Sequence, residues 1–420
     1  MKILVIGSGA REHALVWKIS QSPLVKKIFC APGNVGISKL AECVDLSADN
    51  IKGLLGWALK EKIDLTVVGP ESPLSLGIVD EFERAGLAIF GPRKNAAILE
   101  ASKCFTKEFC TQYDIPTAPY TFFYNATDAK AVLENRKDYP VVIKADGLAQ
   151  GKGVIIAHNK KEAFKAVDSM LVHEKFGEAG KKIIVEDFMP GEEATFLALV
   201  DGLHFLPFES SQDHKRIFDD DKGPNTGGMG AYSPASLVTP AVYKKVVDQI
   251  IKPLLHGMNQ EGRPYKGILY AGLMINKGEP RLVEFNCRLG DPEAEVVLFR
   301  LKTDLVPLML AAIESRLENE KIEFTPHPAA CVVLTSKGYP GEYEKGKTIT
   351  GLDEEMEQTY VFHAGTRKDG NKITTSGGRV LAVTAQGKNL QAALDKAYKR
   401  VKQIKFEGMH YRKDIGKRGL

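Results

Sequence analysis

Apolar runs of four or five residues that end in glycine or proline recur through the first hundred positions of the chain. Lys2-Ile3-Leu4-Val5-Ile6 leads into Gly7-Ser8-Gly9, residues 64–68 into Gly69-Pro70-Glu71, and residues 87–90 into Gly91-Pro92. Continuous apolar runs are what strands covered on both faces show, and a Gly or Pro at the exit marks a loop at the carboxyl end. After the first run, positions 10–19 take helical spacing. Strand, glycine turn and helix make a βα unit. Its repetition predicts a doubly wound parallel sheet over residues 1–102, with binding loops at 7–11, 32–34 and 69–71. For Gly69 and Gly91 a tight turn is the simpler reading.

Glycines between a strand and a helix let backbone N–H groups reach an anion at the helix N-terminus, which suggests a dinucleotide site. The third glycine position of that fingerprint holds Glu12, however, and residues 27–31 end without the acid that would hold a ribose hydroxyl. A nicotinamide cofactor is therefore disfavoured.

From Lys103 a helical pattern runs to Tyr113 and gives way to a proline-rich connector at 115–119. Between Tyr139 and Ile156, two apolar strands flank a loop carrying Gly147, Gly151, Lys152 and Gly153, and Lys144 closes the first strand. Glycine amides that can cover phosphates, beside a lysine on a strand, suit the γ-phosphate of ATP; a plain hairpin is the other reading. The loop is not a P-loop, because no Ser or Thr follows a Gly-Lys pair. The strand pattern at 182–187 then leaves through Pro190-Gly191. Glu186 and Phe188 at that exit suit a hinge against adenine, with Glu193 reaching a ribose, or an ordinary strand exit; spacing does not separate the two.

Residues 209–236 form the longest polar stretch, with Asp213-His214-Lys215-Arg216 followed by Asn225-Thr226-Gly227-Gly228-Met229-Gly230. Long loops inside compact domains are usually functional or disordered. The glycine run reads as part of an ordered site for a small anionic substrate, and 219–222 as a mobile surface loop. The apolar strand 267–275 leads into residues 281–293, where alternation puts Glu284, Asn286 and Arg288 on one face and Phe285 and Cys287 on the other. Solvation alone can produce such a polar face. A carboxylate, an amide oxygen and a guanidinium at two-residue spacing are also a wall for a hard cation and a phosphate.

Near Thr325 the composition shifts. Strand patterns at 329–335, 360–365 and 377–384 and a helix at 390–404 predict a small α+β domain over 326–420, in which His363 reads as a core or loop histidine rather than a catalyst.

The length of 420 residues allows about three domains. A net charge of +4, without a basic stripe interleaved with aromatics, argues against a nucleic-acid partner. The six cysteines never form C-x-x-C, so neither a zinc site nor a disulfide framework is suggested, and a reducing cytoplasm fits. The apolar start is cut short by Gly7 and Arg11-Glu12, too soon for a signal segment or a membrane span.

A glycine-loop lysine hairpin, an acidic strand exit and a Glu-x-Asn strand, in that order, resemble the ATP-grasp ligases, and among them the glycinamide ribonucleotide synthetase family. The resemblance rests on Gly7-Ser8-Gly9-Ala10-Arg11-Glu12-His13-Ala14, Val68-Gly69-Pro70-Glu71, Ile143-Lys144-Ala145-Asp146-Gly147-Leu148-Ala149, Gln212-Asp213-His214-Lys215-Arg216, residues 223–234, Glu284-Phe285-Asn286-Cys287-Arg288 and Tyr411-Arg412-Lys413-Asp414-Ile415-Gly416. It spans nearly the whole chain. It implies an N-terminal doubly wound domain over 1–102, a central ATP-grasp domain over 103–325 with a lid subdomain near 120–190, and the C-terminal α+β domain over 326–420.

The activity implied is ATP-dependent ligation of glycine to 5-phosphoribosylamine through glycyl phosphate, in purine synthesis, by a cytoplasmic monomer or weak dimer. Another ATP-grasp carboxylate-amine ligase or a carboxylase component is the alternative. By the family's pattern Lys103 and Lys144 contact the nucleotide phosphates, the 147–153 loop covers them, Glu186 and Phe188 flank adenine, and Glu193 holds the ribose. Glu284 and Asn286 carry Mg²⁺ or Mn²⁺. Gly9, Arg11, Asp213, Lys215, Asn225 and Arg288 are the expected substrate contacts, with Lys144, Lys215 and Arg288 catalytic. No side-chain nucleophile is needed, since positioning and charge neutralisation carry such a reaction. The chain departs from the wider pattern in one place: strand 267–275 carries no second metal acid. Either one protein carboxylate suffices, or Glu293 or Glu295 reaches in.

Overall fold

A computed structural model describes residues 1–148, 153–173 and 177–420. At the N-terminus five parallel strands lie in the order Glu42–Cys43, Lys27–Pro32, Lys2–Gly7, Leu65–Val68, Ile89–Phe90. The continuous apolar run of the first strand has its reason in burial on both sides. Ile3 and Val5 pack into one core cluster, Leu4 and Ile6 into another. Strand order reverses between Lys2–Gly7 and Leu65–Val68, so the crevice of this open sheet lies outside their carboxyl ends, at residues 7–11 and 69–71.

The central region is built on two antiparallel sheets. One has the order Phe205–Pro207, Glu192–Asp201, Lys266–Asn276, Glu279–Asn286. The other, Tyr120–Phe123, Ile183–Asp187, Val141–Ala145, Val154–Ala157, is covered by helices Ala126–Glu134 and Lys160–Val167 and encloses a separate apolar core that includes Phe123, Leu133, Ile143, Met170 and Val185. A unit with a core of its own can move as a body, as a lid requires. It meets the first sheet where the Lys144 ammonium donates to the Val283 carbonyl at 3.3 Å.

The C-terminal sheet also draws on residues of the 209–236 stretch. Its order is Gln212–Asp213, Gly230–Ser233, Ala329–Thr335, Arg379–Gln386, Thr359–His363, so two strands from the polar 209–236 stretch complete it. Helix Leu390–Gln403 covers one face. Those two strands read as loop because they are only two and four residues long, and Gly230–Ser233, on which Gln212–Asp213 pairs, is itself held by residues about a hundred positions away. Residues 219–222, expected as a mobile surface loop, are instead tied down: Asp219 accepts from the Lys413 N–H at 2.8 Å and Asp414 accepts from the Asp220 N–H at 2.9 Å. Among the described residues no helix is long and apolar enough to cross a membrane.

Candidate active site

The first wall of the cleft is the glycine turn at 7–9. Gly9 caps helix Ala10–Ile19, and its N–H donates to the Glu12 carboxylate at 2.6 Å, while Arg11 Nε holds the other oxygen at 2.7 Å. A Cβ at Gly7 or at Gly69 would overlap the Glu12 side chain. These glycines therefore make room for a buried carboxylate, which corrects the tight-turn reading of Gly69. An anion already sits at the helix N-terminus where a dinucleotide would place its pyrophosphate, which is the physical reason the fingerprint fails.

Beside it stands an ion-pair cluster made by four separate segments. Arg288 Nε lies 3.1 Å from Glu71 and Arg288 Nη2 lies 2.9 Å from Glu100, while Arg11 Nη2 is 4.0 Å from Glu71. Burial would raise the Glu71 carboxyl, but Arg288 and Arg11 hold it down at about 2. Burial prevails at Glu100, which is raised despite Arg288. Two guanidinium groups share the end of the cleft, and Arg forks match phosphate.

Strand Glu279–Asn286 supplies the floor. Its register slips opposite Gly272 and Leu273, so that Leu282 and Phe285, three apart, both enter the core, and Arg288 lies beyond the strand end instead of continuing the alternation. Burial would raise the Glu284 carboxyl, yet the ammonium groups of Lys215, Lys144 and Lys103 and the Asn286 amide pull it below its usual range. Gly272 stands opposite, where a Cβ would lie 3.4 Å from Glu284 Cγ. Among the described residues no three His, Cys, Asp or Glu side chains gather to hold a metal. The donors present, an ionised carboxylate and the Asn286 amide oxygen, fit a hard cation that takes its remaining ligands from phosphate and water. Of the two further acids considered, Glu293 accepts from Tyr270 at 2.9 Å and Thr195 at 3.1 Å. Glu295 is fully buried with neither oxygen hydrogen-bonded, and burial raises its carboxyl well above the usual range.

The lid side brings Lys144 and Glu186 together at 3.0 Å, with Lys107 on the same Glu186 oxygen at 3.2 Å. The second Glu186 oxygen is buried and without a hydrogen-bond partner. An acceptor held in that way calls for an N–H donor from outside. Lys103 donates to the Gly147 carbonyl at 3.0 Å, and Gly153 accepts from the Ala145 N–H at 2.8 Å. Phe188 is 40 % exposed at the strand exit. Gly151 and Lys152 lie outside the described residues.

Lys215 and Glu193, expected on substrate and ribose respectively, form an ion pair with each other. Burial opposes the charge of Lys215, but Glu193 and Asp213 raise it well above the usual lysine value. Asp213 is pushed up to about 8, first by burial and then by Glu293, Glu193 and Glu284, with Lys215 opposing. Asn225 pairs across the hairpin with Arg216, and the next residue, Thr226, donates through N–H and hydroxyl to the Lys215 carbonyl, each at 2.8 Å. The glycine run is gripped from the C-terminal domain: Arg379 donates to the carbonyls of Gly227 and Asp291, each at 2.7 Å, and the Tyr339 hydroxyl accepts from Gly227 N–H at 2.9 Å.

The structure adds Lys107, Glu100, Tyr270 and Arg379 to the residues found from sequence. Lys107 was recoverable, since it follows Lys103 by one helical turn and shares its face. The others meet the site through long-range pairing that leaves no local pattern.

A two-sheet cleft with a lysine-bearing lid over a Glu-x-Asn strand defines an ATP-grasp protein. Residues 1–100 match the phosphoribosylglycinamide synthetase N domain, 101–294 its ATP-grasp (A) domain and 329–418 its C domain, and the chain belongs to that family. It is 50 % identical over 424 residues to a phosphoribosylamine–glycine ligase of Vibrio vulnificus, covering 100 % of this chain and 99 % of that one. A crystal structure of the phosphoribosylamine–glycine ligase of Thermotoga maritima superposes with a TM-score of 0.86 at 33 % identity, covering 99 % of this chain and 100 % of that one. The biotin carboxylase domain of the Hydrogenobacter thermophilus 2-oxoglutarate carboxylase shares the fold, with a TM-score of 0.75 at 17 % identity, covering 97 % of this chain and 91 % of that one.

Proposed function

We propose that the chain joins glycine to 5-phosphoribosylamine in purine biosynthesis, with ATP converted to ADP and phosphate. The observation that carries the reading is the convergence of Lys103, Lys144 and Lys215, from three separate segments, on the Glu284 carboxylate. Such a point suits a phosphoryl group in transfer, where catalysis is positioning and charge neutralisation.

Adenine lies between Glu186 and Phe188, its exocyclic amine donating to the unpartnered Glu186 oxygen. Glu193 exchanges Lys215 for the ribose. Lys103, Lys144 and the 147–153 loop hold the phosphates. Glu284 and Asn286 hold Mg²⁺ or Mn²⁺, which neutralises phosphate charge when bound. The glycine ammonium lies among the crowded carboxylates of Asp213 and Glu293, and its carboxylate faces Lys215, with Asn225 alongside.

A glycine carboxylate oxygen attacks the γ-phosphorus as the bond to the β,γ-bridging oxygen breaks, giving ADP and glycyl phosphate. The amine nitrogen of phosphoribosylamine attacks the acyl carbon, the carbon–oxygen bond to phosphate breaks, and the proton lost from nitrogen leaves with phosphate. Arg11 and Arg288 take the phosphate of the amine substrate, beside the Gly9 turn that Glu12 closes. We place the enzyme in the cytoplasm as a monomer or weak dimer.

The test is ADP release from Mg-ATP and glycine, with and without phosphoribosylamine generated from ribose 5-phosphate and ammonia. Release that needs both substrates, with equimolar glycinamide ribonucleotide, is expected. Release indifferent to glycine would overturn the assignment and favour another acid in the same cleft.

A further inference from the structure

The last ten residues run along the segment 212–221, in which Asp213 ends one short strand and Lys215 stands in the link to the next. Arg412, only 1 % exposed, forks onto both oxygens of Asp414 at 2.8 Å, reaches Asp221 Oδ1 at 2.9 Å and donates to the Arg216 carbonyl at 3.1 Å. Four positions on, the Gly416 N–H donates to His214 Nε2 at 3.2 Å. Ile415 fills the space a side chain at Gly230 would need, and Arg418 adds a second ion pair to Asp221. The tail is itself fixed to the C-terminal helix, because Tyr398 donates to the Arg412 carbonyl at 2.9 Å and accepts from the Ile415 N–H at 3.1 Å.

These contacts fall on both neighbours of Lys215, the Arg216 carbonyl and the His214 imidazole, while the Lys215 carbonyl is held from the other side by Thr226. The backbone that aims Lys215 and Asp213 into the cleft is thus fixed by a segment some two hundred positions away. A guanidinium that fills its donors with two carboxylates and a carbonyl holds its partners in one geometry, which a lysine's point charge does not.

We propose that Arg412 is a positioning residue for the glycine subsite, acting through Asp221, Asp414 and the Arg216 carbonyl to set where Lys215 and Asp213 stand. This rests on the assignment of those two residues to glycine. It makes the C-terminal tail a support of the substrate site.

The test is steady-state kinetics of Arg412→Ala, Asp221→Asn and Lys215→Ala in the full-length enzyme. Displacement of a positioned group by about 1 Å can cost up to a hundredfold. Arg412→Ala is expected to raise KM for glycine about tenfold or more while KM for ATP stays within about twofold, and millimolar guanidinium ion should lower that KM again without affecting the parent. A merely structural role would lower the active fraction and Tm and leave KM for glycine alone, which would overturn the proposal; so would a parallel rise in both KM values. Should Arg412→Ala not fold, Asp221→Asn, which alters a partly exposed partner, must still raise KM for glycine selectively. If Lys215→Ala raises KM for glycine and neither tail variant does, the tail inference fails alone. If Lys215→Ala leaves it unchanged, the subsite assignment fails and the inference with it.

Discussion

The Glu12 carboxylate occupies the space that the missing side chain of Gly69 leaves, joining the ends of the two strands that flank the switch point of the N-terminal sheet. A turn that resembles a dinucleotide loop is closed from within by its own acid, which also orients Arg11.

Gly69→Ala places a methyl group against that carboxylate. Overpacking of a closed interior costs about 1–3 kcal/mol. Urea unfolding should show a loss of that size, together with a higher KM for phosphoribosylamine; an unchanged midpoint would mean that Glu12 moves aside freely.

Glu71 gives a pH signature. Its folded-state value of about 2 lies below the ordinary 4.5, so the stability it contributes is full above about pH 5 and is lost as pH falls through 2. The stability gap between the parent and Glu71→Gln should therefore be widest near neutrality and shrink on acidification from 4.5 towards 2. A gap that is constant with pH would mean the arginines do not act on Glu71.

Lys144 bridges the lid strand and the Glu284 strand. Removing one preorganised charge-stabilising donor costs about 10²–10³ in kcat, and Lys144→Ala should fall in that range. Near-parental turnover would take Lys144 out of the reaction.

Glu284→Gln keeps the shape and removes the charge. The variant should fold as the parent does by circular dichroism, with the Mg²⁺ titration of activity shifted to higher concentration. An identical titration curve would transfer the metal to other donors.

Sequence alone determined the elements with a local cause. The apolar runs ending in glycine gave the parallel strands of the first domain, helical spacing gave Ala10–Ile19 and Lys103–Gln112, and the residue types of Lys144, Asp213, Lys215, Glu284 and Asn286 pointed to phosphate, cation and a small anionic substrate. Tertiary structure decided what each charge faces. Lys144 meets Glu186, Lys215 meets Glu193, Arg288 meets Glu71 across 217 positions, and Arg412 meets Asp221 across 191. It also gave two strands of the polar stretch to the C-terminal sheet. The physical reason is the same in each case: periodicity and turn chemistry act between residues a few positions apart, whereas an ion pair or an edge strand is specified by whatever the rest of the fold brings within about 3 Å of it.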